Sequence, residues 1–421
     1  MFCFQPADIL LPDGVDLNKW SVIACDQFTA QPEYWVETER IVGGSPSALR
    51  LVLPEAYLDS PDAEKRIEEI NGTMRLYLEA GYFRTLEHAM ILVQRTLSSG
   101  KTRSGLIGRV DLEQYDYNSG ADSLVRATEG TVLKRLPPRV SVRENAPVEL
   151  PHILLLMDDP DMTVIEPVCK QRHKLKKEYD FELMQGGGHI TGYSIPRGMQ
   201  PSVLEALRKL ADQSAFEKKY GLYDKPVLLF ASGDGNHSLA AAKQCWENLK
   251  KSLSKAERET HPARWALVEL VNLHDESLEF EAIHRVVFDI DPEALLEALR
   301  RKYPSAGDGS DKAGHSFGFQ YSGKSGRITL EGITQGLPVG CLQDFLDVYV
   351  AENGGRIDYV HGEDVARELG NRPRNIAFLL EPMRKDELFK AVITGGALPR
   401  KTFSMGEARD KRYYLEARAI R

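Results

Sequence analysis

The run VLLFASGDGNHSLAAAKQCWENL, residues 227–249, constrains the fold more than any other segment. Val227 to Phe230 is a short apolar run of the kind that sits inside a sheet, and Leu239, Ala242, Trp246, Leu249 and Leu253 then recur at helical spacing. Between them lie Gly233, Asp234, Gly235, Asn236, His237 and Ser238. A strand, a glycine-bearing turn and a helix in immediate succession require a sheet to receive the strand and a layer to cover the helix. All-α and all-β architectures are thereby excluded.

The rest of the chain reads the same way. Residues 62–100 carry a helical pattern through Ala63, Ile67, Ile70, Met74 and Leu78, stopped at Gly81 and resumed over Leu86–Leu97, which predicts a helical hairpin. From Gly105 the runs LIGRVDL, TVLKRL, PRVSVR and HILLLMDD predict strands. Residues 202–216 return to helix, and WALVELVNL and AIHRVVFDI read as neighbouring strands. A helix over 292–304, a hairpin over 317–331, a helix near Leu342–Val350 and the strand-like IDYVHG follow. The expectation is an α+β fold with a mixed, sheet-rich core and flanking helices. A chain of 421 residues exceeds what one core usually organises. The Ser/Gly/Asp stretch after residue 304 suggests a main region, 1–304, and a C-terminal region, 305–421, packed on the same pocket.

Composition narrows the class. Fifty-four basic against 62 acidic residues give a net charge of −8, so no global field draws the chain to DNA. No apolar run reaches the roughly 18 residues of a membrane span, and the start MFCFQPADILLPDG lacks a basic leader and a cleavage site. Five scattered cysteines form no C-x-x-C pair. A cytoplasmic protein with reduced thiols is expected.

The positive charge that exists is concentrated. Residues 124–143, LVRATEGTVLKRLPPRVSVR, carry Arg126, Lys134, Arg135, Arg139 and Arg143 against the single Glu129, and Thr128, Glu129 and Thr131 could share a pocket with them. Arginine forks suit phosphate, although the same residues also fit solvated strand faces. A second basic stretch, PRKTFSMGEARDKRYY, includes Arg400, Lys401, Arg409, Lys411 and Arg412.

In the 233–238 turn, glycines permit close backbone approach, and a helix N-terminus offers free N–H groups to an anion. Asp234 could hold a metal or deprotonate a hydroxyl, and His237 could donate to phosphate. The pattern equally suits a plain turn capped by Asn236 or Ser238. Asp26 and Gln27, in ACDQFTAQPEYW, fall where a strand ends; a binding position and an ordinary N-cap both fit. The literal phosphate-loop match at Gly318–Ser325 is rejected, because Phe317, Phe319 and Tyr321 alternate before it and Ile328 and Leu330 after it, as in a hairpin.

From these segments, the chain is identified as a member of the bacterial family of domain of unknown function 1015. The resemblance runs through ACDQFTAQPEYW, LVRATEGTVLKRLPPR, ELPHILLLMDD, YDFELMQGGGHITGY, SGDGNHS, NLHDESLEFEAIHR and LPRKTFSMGEARDKRYY. Many relatives carry Asp-Gly-His-His-Arg where this chain has Asp234-Gly235-Asn236-His237-Ser238, and that turn is similar to the phosphate loop of ParB/sulfiredoxin-like free serine kinases. The resemblance implies a small-molecule phosphotransferase acting on a hydroxylated metabolite, L-serine foremost. The nucleotide preference does not carry over, so the expected donor is a nucleotide (ATP or ADP) or pyrophosphate, with Mg²⁺. Asp234 would activate the acceptor, with Glu129 beside it, and His237 with Gly233, Gly235, Asn236 and Ser238 would contact phosphate. Since the second His and the Arg are missing here, Arg126, Arg135, Arg139 or Lys401 would supply charge. A phosphatase or nucleotide hydrolase using the same pocket and a ParB-like nucleotide-dependent regulatory or DNA-binding protein are the alternatives.

Overall fold

Alternate residues of the central strands enter two different hydrophobic clusters, which is what a sheet buried on both faces requires. Ile91, Val93, Ile107 and Leu267 join one cluster, while Leu92, Leu106, Ala266 and Val268 join the other. The computed structural model describes residues 2–29, 31–58, 60–118, 120–130, 136–303, 306–307, 314–331, 333, 336–399 and 401–421. The chain forms two units, Met1–Leu278 with Gly406–Arg421, and Glu279–Met405. The fold is α+β with a mixed sheet, as the sequence predicts.

Among the described residues the first unit carries a ten-stranded sheet. Its middle runs Thr102–Asp111, Trp265–Asn272, Leu154–Met157, Phe230–Asp234, Val125–Ala127. The pairings alternate in sense: Trp265–Asn272 is parallel to Leu154–Met157, which is antiparallel to Phe230–Asp234, which is parallel to Val125–Ala127. The parallel strands 125–127 and 230–234 therefore end on one edge, and the antiparallel strand 154–157 begins there. That edge gathers Thr128, Asp234 and His152.

Several expectations need correction. Leu86–Leu97 is not helical: Phe83–Ala89 and Ile91–Thr96 are strands. The run Met90–Val93 is buried on both sides, so the period of two that marks a one-faced strand is hidden. PRVSVR is not a strand but part of the helix Leu136–Glu144, whose early prolines suit a helix start. TVLKRL lies, apart from Leu136, outside the described residues. AIHRVVFDI does not neighbour WALVELVNL; Phe280–Phe288 pairs with Arg356–His361 and Ile376–Leu379 in the second unit's sheet, seven-stranded among the described residues. That strand and the helix Pro292–Lys302 thus group with residues beyond 304, and the last segment of the chain groups with the first unit. The rejected phosphate loop is a hairpin tip, with Tyr321 opposite Lys324 and both Ser322 (φ 45) and Gly323 (φ 75) left-handed, as a two-residue turn demands.

Residues 406–421 are bound to the first unit by buried charge. Arg412, 6% exposed, meets Glu269 at 3.4 Å and also pairs with Glu416, to which Tyr179 donates. Gly105 makes room for this group, since a Cβ there would sit 2.3 Å from Glu269 Oε1. Arg95, 1% exposed, donates to the carbonyls of Gly187, Arg409 and Lys411 and lies over the Tyr413 ring. Arg418 donates to Glu149 at 2.7 Å. Removing one partner of a buried pair strands the other charge. Arg412→Met is expected to lower unfolding free energy by about 3–5 kcal/mol in urea denaturation; a loss below about 1 kcal/mol, the scale of a surface ion pair, would show that the network is not structural.

Candidate functional site

The strand Phe230–Asp234 hands the chain to the helix Asn236–Leu249 through Gly235 alone. Gly235 is the helix N-cap at φ 72, and a Cβ there would lie 2.9 Å from Ile153 Cα, so conformation and space both call for glycine. Neither Asn236 nor Ser238 is the N-cap, and no side chain caps the helix among the described residues. A helix N-terminus without a side-chain cap suits an anion.

Asp234 is half-buried at the strand end. Its Oδ1 accepts from Gly235 N–H at 3.0 Å, and its Oδ2 stands 3.4 Å from Lys411 Nζ. Asn236 Oδ1 is shielded from solvent and has no hydrogen-bond partner among the described residues. Gly233 and His237 are half-buried on either side of this turn.

A second charge pair lies beside the first. His152, 4% exposed, has Nδ1 2.7 Å from Tyr414 Oη, while its Nε2 faces Asp26 Oδ2 at 3.6 Å and Ser238 Oγ at 3.3 Å. Gln27 Nε2 donates to Asp26 Oδ1 at 3.0 Å, and Tyr414 Oη also accepts from Cys25 N–H at 3.2 Å. Asp26 is not an N-cap, since the following helix, Pro32–Val42, is preceded by Gln31. Burial opposes ionisation of both partners. The charge and hydrogen bond of His152, with Gln27 and Lys411, nevertheless hold Asp26 well below the ordinary carboxylate range. Against burial, Asp26, with Asp234 and Glu55, raises the His152 pKa.

The remaining sequence candidates fare differently. Arg126 is 4% exposed and spends Nε and Nη2 on the carbonyls of Ser123, Pro226 and Val227, so those donors fasten the chain rather than face a ligand. Thr128 donates to Ser232 O at 2.6 Å, tying its strand to the neighbouring one. Glu129 follows at the same edge, half-buried. Arg139 pairs with Glu55. Arg135 lies outside the described residues. Lys401 belongs to the second unit, exposed and left-handed at φ 56. Sequence reading missed His152, Lys411 and Tyr414 as site residues; the only signals for them were the basic excess near the C-terminus and a histidine opening an apolar run.

The two shifts set opposite pH limits. A depressed Asp26 pKa contributes stability that is present above the unfolded value of about 3.9 and is lost as pH falls through the folded value. A raised His152 pKa contributes stability that is complete below about 6.5 and is lost as pH rises through the folded value. Melting temperature should therefore decline more steeply between about pH 6.5 and 9 in the wild type than in Asp26→Asn, by calorimetry. Parallel profiles would contradict the pairing.

With the geometry established, the chain can be compared with known proteins. No curated protein matches it. Similar solved structures include a free serine kinase in complex with AMP, 11% identical over 73% of this chain and 90% of that one, with a TM-score of 0.38. A free serine kinase mutant in complex with ADP is 11% identical over 73% and 91%, with a TM-score of 0.40. SbnI with a C-terminal truncation, from Staphylococcus aureus, is 10% identical over 71% and 82%, with a TM-score of 0.36. The model of the family described as "Protein of unknown function (DUF1015)" matches residues 10–349, and the chain belongs to that family.

Proposed function

We propose that this protein transfers a phosphoryl group from a nucleotide to a hydroxyl of a small metabolite, with Asp234 as the base. The observation that carries the reading is the junction at Gly235. A carboxylate, a lysine, an uncapped helix N-terminus and a buried amide oxygen without a partner converge on one glycine turn. Phosphoryl transfer asks a protein mainly to position reactants and neutralise charge, and these are the parts it uses.

In the proposed step the acceptor oxygen attacks the terminal phosphorus, the new P–O bond forms as the bond to the leaving nucleotide oxygen breaks, and the hydroxyl proton passes to Asp234. Lys411, 3.4 Å from Asp234, faces the transferring oxygens. The amides of Asn236 and Ser238 bind phosphate, and His152 with Asp26 orients the acceptor hydroxyl through Nε2.

Asp234 and Asn236 offer hard oxygen donors that suit Mg²⁺, an ion that commonly takes one or two carboxylates and completes its shell with water and phosphate oxygens. No cluster of three or more His, Cys, Asp or Glu side chains able to enclose a metal occurs among the described residues. Such an ion, when bound, would offset the phosphate charge. Electrostatics agrees: the two carboxylates Asp26 and Asp234 are already matched by His152 and Lys411, so incoming phosphate needs a further cation.

Incubation with Mg²⁺, a panel of small hydroxylated metabolites that includes L-serine, and ATP, ADP or pyrophosphate should give a phosphomonoester with at least one acceptor, detectable by mass spectrometry. Asp234→Asn should slow turnover by about 10²–10⁴-fold with an unchanged melting curve. Lys411→Met should raise the donor KM as well as lower kcat. Absence of phosphorylated product with every donor and every hydroxylated acceptor tried, or full turnover in Asp234→Asn, would overturn the reading.

A further inference from the structure

Next to His152 the first unit contains a cavity of about 120 Å³. Its walls are mainly apolar, supplied by Leu51, Leu53, Met74, Val142, Leu150 and Ala241, among others. Its polar border is made by His152, Ser238, Tyr414 and Cys25, the groups already described beside Asp234. Ile153 also lines it, and Ile153 is the residue that a Cβ on Gly235 would strike, so cavity and turn share a wall.

Three features define what fits. The space exceeds the roughly 30 Å³ share of one water, and apolar walls give water too few partners, so this is room for an apolar guest. The carboxylates at its edge are already paired, Glu55 with Arg139 and Glu149 with both Arg143 and Arg418, so neither is left to hold a cationic guest. On its border His152 Nε2 is loosely held, with contacts at 3.3 and 3.6 Å, whereas Nδ1 has a close partner at 2.7 Å. A hydrogen bond of ordinary length is available there to an incoming hydroxyl.

We propose that this cavity seats the acceptor, and that the acceptor is an uncharged alcohol on a small branched or cyclic apolar body, larger and less polar than serine. The assignment of this ligand as acceptor rests on the phosphotransfer reading above; the class of ligand rests on the cavity itself.

The test uses the full chain and 3-methyl-1-butanol as probe, with saturation-transfer NMR as readout and L-serine as competitor. The probe should bind the wild type, and serine at equal concentration should not displace it. Ala241→Leu, which fills the cavity from the helix Asn236–Leu249, should weaken probe binding at least tenfold while Mg²⁺–ATP still binds by calorimetry. Ala146→Leu fills the space from a different segment and should do the same, which covers the case where the first variant misfolds. Absence of a probe signal in the wild type, equal binding in both filled variants, or displacement by serine would overturn the proposal. Probe binding in a protein that shows no heat with Mg²⁺–ATP would count against phosphoryl transfer and would still support the ligand class.

Discussion

Everything around the candidate site depends on Arg412 being buried against Glu269 and Glu416. Charged groups removed from water are costly unless paired, and here Arg412 pairs with both carboxylates: Glu269 comes from a central strand, Glu416 from the same terminal segment, and the Tyr179 hydroxyl donates to Glu416. An arrangement like this tolerates little sliding. A shift of the terminal segment by one residue would leave a carboxylate unpaired in the interior and carry Tyr413 and Tyr414 away from their positions. Arg95 reinforces the same register by binding three backbone carbonyls at once.

The site follows from that register. Residues on either side of Arg412 are the ones that reach across: Lys411 to Asp234, and Tyr414 to His152 and to the backbone of Cys25. Backbone bonds from Ala24 to Arg412 and from Tyr414 to Val22 place the Asp26 loop against the same segment. The result is two adjacent ion pairs at the edge where the strands 125–127 and 230–234 end. Because the pairs balance, the site is preorganised without being strongly attractive to a bare anion. Under the proposed phosphoryl transfer, such a site suits a ligand whose charge is already partly neutralised, as in a complex of a nucleotide with a divalent cation.

The glycine turn was legible in the sequence because the pattern changes there from a strand run to helical spacing within a few residues, and no sheet partner is needed to see it. Asp26 was legible as a polar residue following a strand-like run. His152, Lys411 and Tyr414 were not, since each acquires its meaning from a residue far away in the chain; Lys411 looked like one more charge in a basic stretch. Arg126 misled in the opposite way. Its charge suggested phosphate, but its burial and its three carbonyl partners make it a fastener for the strand edge. The error at Leu86–Leu97 has a similar origin, because a strand covered on both faces loses the alternation by which strands are recognised.

In the phosphoryl transfer proposed above, residues 406–421 complete a charge-balanced site that takes phosphate only together with a divalent cation. Calorimetric titration of ATP into the full chain, with Mg²⁺ and then with excess EDTA, tests it most directly. The account predicts binding with Mg²⁺ and a loss of affinity of at least tenfold in EDTA. Equal affinity under both conditions, or no binding under either, would contradict it.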